Sequence, residues 1–180
     1  MIDRMRDIAE NYNQVSDDSL LWRTIQIVLE CKESYAKKMA RSHCNSLSFY
    51  GCLFAQGFIN ISYQEFFEKG YEQKVWTKKG KIPNIQDNGF INDKNLLCKE
   101  LGVDYDYTEH MIKDFNELAN CKEGKAYQIR ISTGILSKHF LMAAVKNKVL
   151  NIYDTWDKKY IDVDAYKKVN KKNFEVLMEV

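Results

Sequence analysis

Proline is almost missing from this 180-residue sequence, occurring once, at Pro83, and no apolar run reaches membrane-spanning length. An excess of charge of one sign is missing too. Lys and Arg number 27 against 25 Asp and Glu, a net charge of +2, with no basic run or arginine-rich stripe. A nucleic-acid partner is therefore not expected, and neither is a membrane partner. Met1-Ile2-Asp3-Arg4-Met5-Arg6-Asp7 mixes both signs and has no apolar stretch of signal-peptide type, so a cytoplasmic location is expected. Cysteine occurs five times, at Cys31, Cys44, Cys52, Cys98 and Cys121, without a Cys-x-x-Cys pair or a His-rich tract. This odd, scattered set argues against a disulfide framework or a structural zinc, and no metal or organic cofactor is expected. Repeats, low-complexity tracts and linkers are absent as well. What is present is 45% apolar and 13% aromatic residues, enough for one core in a single domain over residues 1–180.

Helical spacing dominates the first part of the chain. Leu21, Ile25, Val28, Leu29, Tyr35 and Met39 predict one amphipathic helix from Asp17 to Met39. Residues 40–50 are rich in small hydroxyl side chains that compete for backbone hydrogen bonds, so a loop is expected there. Gly51 then opens a stretch to Ile59 without polar alternation, predicting a buried helix with Cys52 at its start. Ser62 and Glu65 have capping-box spacing ahead of Phe66, Phe67 and Tyr71. From Thr77 to Phe90 the glycines, Pro83, Asn and Asp predict the longest loop. Asn92 is a cap for a helix to Leu101 closed by Gly102, and Thr108 for another to about Ala119.

After Gly124 the period changes to two. Tyr127, Ile129 and Ile131 alternate with Gln128, Arg130 and Ser132, and apolar runs follow at 139–145 and 149–153. Lys146-Asn147-Lys148 suits a tight hairpin turn, and 160–163 and 174–178 extend the sheet. Helices to about residue 120 followed by strands predict an α+β fold, an N-terminal helical layer on a C-terminal antiparallel sheet.

A thiol attacks a carbonyl as thiolate, so such a site needs a cysteine, an imidazole to take its proton and a group that orients the ring. A helix N-terminus favours the anion and offers N–H groups to the oxyanion. Cys52 fits the first position, while His139 begins one predicted strand and Asp154 ends the next, so a hairpin brings imidazole and carboxylate together. Cys44 competes for the nucleophile's place; it follows His43, but adjacent side chains point apart and make no thiol-imidazole pair. His43 and His110 are expected to be solvated, and Cys31, Cys98 and Cys121 to be core or half-buried thiols.

Gly51-Cys52-Leu53-Phe54-Ala55, Ser137-Lys138-His139-Phe140 and Ile152-Tyr153-Asp154-Thr155-Trp156 resemble the motifs of papain-like cysteine peptidases. The nearest likeness is to the small bacterial and phage branch that includes bacteriocin-leader-processing peptidases, over roughly residues 40–157. The resemblance implies a papain-like fold, with Cys52 as nucleophile, His139 as general base and acid, Asp154 orienting the imidazole and Trp156 shielding the pair. The family's glutamine, about six residues before the nucleophile, is Ser46 here; Asn45 is the side chain left to supply an oxyanion donor. The family's Cys-Gly at the nucleophile is Cys52-Leu53 here.

These features lead to a hydrolase that cleaves a peptide or isopeptide bond of a peptide or protein substrate through a thioester. An amine acceptor in place of water would make it an acyl transferase. Two alternatives stand beside it: a weakly active or inactive papain-like binding or inhibitory module of a phage-encoded kind, and a cell-wall amidase or endopeptidase of related fold.

Overall fold

In the computed structural model the described residues are 1–78, 80–104, 110–111, 120–132, 138–156, 159–161 and 174–179. Ile2, Met5, Ile8 and Ala9 recur every three or four positions, and they bury one face of α1 (Ile2–Asn11). Ser19 caps α2 (Leu20–Val28) by accepting the Leu21 N–H at 3.1 Å. The single helix expected from Asp17 to Met39 is two. A break at residues 29–32, where Glu30 takes φ 48°, separates α2 from α3 (Glu33–Ala40). A straight helix of that length would run about 34 Å and carry its apolar stripe past the core. Broken, it folds back so that Leu21 and Ile25 of one piece and Ala36 and Ala40 of the other join one cluster.

The central helix, α4 (Cys44–Gln56), begins within the stretch expected as loop and ends at Gly57, whose φ of 81° closes it. Its hydroxyls are not solvated. Ser48 Oγ donates to the Cys44 carbonyl at 2.5 Å, and Ser46 Oγ meets the Tyr63 hydroxyl at 2.7 Å. Satisfied inside the fold, these side chains stop competing with the helix. The capping box forms as its spacing predicts: Ser62 accepts the Glu65 N–H at 3.1 Å and starts α5 (Tyr63–Glu72).

β1 (Lys74–Thr77) and β2 (Gly80–Pro83) form a small antiparallel hairpin that occupies the start of the expected long loop. Asp93, rather than Asn92, caps α6 (Lys94–Glu100), accepting the Leu96 N–H at 2.8 Å; Gly102 follows at φ 70°. The helix expected from Thr108 lies outside the described residues except at His110–Met111, which form strand β3 instead. β4 (Ala126–Ser132), β5 (Lys138–Lys146), β6 (Val149–Asp154), β7 (Lys159–Ile161) and β8 (Phe174–Glu179) complete an antiparallel sheet of order β3-β8-β4-β5-β6-β7.

Asn147 and Lys148 take φ 54° and 62° between β5 and β6, as a two-residue hairpin turn requires. They set the register in which Met142 faces Tyr153. The fold is therefore α+β. The helices pack on one side of the sheet, where Ala126, Met142, Ala144 and Tyr153 join their core. Tyr127, Ile129, Ile131, Leu141, Ala143 and Ile152 form a second cluster by the alternation of a pleated strand. α4 lies so close to β5 that a Cβ on Gly51 would come within 2.1 Å of Met142 Sδ, which explains a glycine inside a helix. Among the described residues no helix is long and apolar enough to cross a membrane.

Candidate active site

His139 stands at the start of β5 and Asp154 at the end of β6, so the hairpin delivers both to one end of the sheet. His139 Nε2 and Asp154 Oδ1 are 2.7 Å apart, with side chains 13% and 18% exposed. Asp154 Oδ1 also accepts the Trp156 N–H at 2.8 Å, which closes the strand end into a turn. The Trp156 ring stands edge-on to the imidazole, 6.3 Å between centroids at 84°.

The thiol that the structure brings to this ring is Cys44, which hydrogen-bonds the imidazole. Burial works against the charged ring, but the hydrogen bonds and charges of Asp154 and Cys44 outweigh it and raise His139 to about 10. An imidazolium is thus held between a carboxylate and a sulfur.

Cys52 is not brought to His139. It lies eight residues further along α4, about 12 Å by helical rise, and is fully buried. Burial pushes its thiol up to about 12, against the opposing pull of Lys94 and of a hydrogen bond from the Ala143 backbone. The reason for the difference is the start of α4. Placing the helix N-terminus at Gly51 puts Cys52 in its first turn; the helix starts two turns earlier, and that position belongs to Cys44.

Cys44 therefore meets the partial positive charge of a 13-residue helix. The Ser46 N–H is taken by the Gly89 carbonyl at 3.0 Å, so the N–H groups of Cys44 and Asn45 are the open donors of the first turn among the described residues. Asn45 Oδ1 accepts the Ile91 N–H at 3.4 Å, which leaves Nδ2 as the donor its side chain can offer. Asn45 lines a cavity of about 290 Å³ together with Phe90, Ile91, Lys94, Arg130 and Phe140. The cavity touches a sequence neighbour of each of these two residues, Asn45 beside Cys44 and Phe140 beside His139.

Two side chains without a role in the sequence pattern hold this geometry. Gln128 is fully buried on β4; its Nε2 donates to the Asn45 carbonyl at 2.8 Å and to Ser48 Oγ at 2.6 Å, and its Oε1 accepts from Lys94. It fastens the first turn of α4 to the sheet. His43, expected in solvent, is fully buried: Nδ1 meets the Tyr63 hydroxyl at 2.9 Å and Nε2 the Asp87 carbonyl at 2.8 Å. Burial lowers it to about 4, against the opposing pull of Asp87, so it is a neutral bolt behind α4. Gln128 falls on the polar side of the strand's alternation, so nothing local marked it or His43 as buried.

No family model, curated protein or solved structure gives a significant match to this chain. Among the described residues no group of three or more His, Cys, Asp or Glu side chains is arranged to hold a metal ion.

Proposed function

We propose that this chain is a papain-like cysteine hydrolase acting on a peptide or isopeptide bond, with Cys44 as nucleophile, His139 as general base and acid, and Asp154 as orienter. The observation that carries it is the hydrogen-bonded series Cys44, His139, Asp154, with Cys44 as the first residue of α4.

Each group has one task. The imidazole already holds the proton taken from the thiol, so sulfur attacks the substrate carbonyl carbon as thiolate, and the carbonyl electrons move to oxygen. The N–H groups at the start of α4 and Asn45 Nδ2 are the donors for that oxyanion. As the C–N bond breaks, the imidazolium returns the proton to the leaving amine, and a thioester remains on Cys44. Water, deprotonated by the same ring, then releases the acid; an amine in its place gives acyl transfer. Asp154 keeps one ring orientation and stabilises the imidazolium throughout.

Labelling with an electrophilic peptidyl probe, mapped by mass spectrometry, tests the assignment. Cys44→Ala is expected to abolish active-site labelling and Cys52→Ala to preserve it. Labelling that survives Cys44→Ala and disappears with Cys52→Ala would return the nucleophile to Cys52.

A further inference from the structure

The residues between α1 and α2 touch both halves of the candidate site. Gln14 is 2% exposed and uses both ends of its amide. Nε2 donates to the Ala40 carbonyl at 3.1 Å, four residues ahead of Cys44, and Oε1 accepts from Thr155 Oγ1 at 2.9 Å, one residue after Asp154. Its backbone N–H donates to the Thr155 carbonyl at 2.9 Å. Beside it, Asn13 Nδ2 donates to the Trp156 carbonyl at 3.2 Å, while its Oδ1 takes the N–H groups of Val15 and Ser16, each at 2.9 Å.

We infer that Gln14 is a positioning residue for the site, a strap that fixes the approach to α4 against the Asp154-Thr155-Trp156 turn. The inference rests on the Cys44, His139, Asp154 assignment and gives the N-terminal segment a role in it. Apolar packing alone tolerates small slips, whereas a buried amide with both ends bonded holds two segments at one separation. The separation matters because His139 must reach Cys44 and Asp154 together, and a misplacement near 1 Å can cost about 100-fold in rate. Chemistry at position 14 is demanding as well. Glutamate keeps the acceptor for Thr155 but sets a carboxylate against the Ala40 carbonyl, and leucine loses both bonds.

Two readouts on the full chain separate this inference from the assignment beneath it. The first is the titration of the His139 ring followed by ¹⁵N NMR in Gln14→Leu, Thr155→Val and Thr155→Ser. Its midpoint is expected to fall by about one pH unit, tenfold in proton affinity, in Gln14→Leu, to fall less in Thr155→Val, and to stay native in Thr155→Ser, which keeps a hydroxyl. A native midpoint in a folded Gln14→Leu chain overturns the inference. If that variant does not fold, Thr155→Val carries the test, and a native midpoint there overturns it equally. The second readout is the alkylation rate of Cys44 by iodoacetamide at pH 7, mapped by mass spectrometry, expected to drop about tenfold in Gln14→Leu. A lowered His139 midpoint with no change in Cys44 alkylation, in this variant and in His139→Ala alike, supports the strap and refutes the thiol assignment.

Discussion

Two histidines, one buried and one half-buried, lie on either side of Cys44, one beside it in sequence and one in space, and the fold moves them in opposite directions. His43 is enclosed by neutral partners, the Tyr63 hydroxyl, Ser46 Oγ and the Asp87 carbonyl, and burial lowers it to about 4. His139 is less enclosed, but a carboxylate and a thiol flank it, and it rises to about 10. Burial opposes the charge at both. What distinguishes them is whether a partner of opposite charge stands within hydrogen-bonding distance, and that leaves one ring favouring its neutral form and the other its charged form.

The largest effect that would break this contrast is on reactivity. His139→Ala is expected to slow alkylation of Cys44 at pH 7 by roughly 100-fold, the usual worth of a positioned general base, and a mapped rate within a factor of three of native would contradict the pairing. On the other side, His43→Ala removes a packed ring and takes from the buried Asp87 carbonyl its imidazole partner; a loss of about 2–4 kcal/mol in urea unfolding is expected, without the same direct effect on the thiol.

The two rings should also give stability opposite pH limbs. His139 is raised in the folded state, so its contribution is complete below about pH 6.5 and is lost as pH rises toward 10. His43 is lowered, so its contribution is complete above about pH 6.5 and is lost as pH falls toward 4. Midpoints of thermal unfolding between pH 3 and 10 should fall at both ends, and Asp154→Asn should flatten the alkaline limb alone. The smallest effect sharpens the structural side: Tyr63→Phe removes a hydroxyl shared by His43 and Ser46, at about 1 kcal/mol of stability, and Cys44 alkylation is expected to stay native.

How much of this was legible in the sequence depended on the range of the forces involved. The capping box at Ser62 and Glu65 and the turn at Lys146-Asn147-Lys148 are local, and both formed where their residues indicated. The second gave the hairpin that carries His139 and Asp154. The Ser and Asn residues of 40–50 misled because they seek backbone partners when solvated, whereas burial against Tyr63, Gln128 and the loop at Gly89 satisfies them within a helix. The break between α2 and α3 escaped for a related reason: periodicity reports a helical face but not where the core ends.

The sequence by itself determined the α+β order of elements and the meeting of His139 with Asp154, because turns, caps and strand alternation act over a few residues. Only the tertiary structure decided which thiol stands beside that pair. Cys44 and Cys52 share one helix, and choosing between them depends on where the helix begins and which part of it faces the sheet end. Those are set by contacts among residues 14, 40, 128 and 155, whose spacing in the chain carries no local signal.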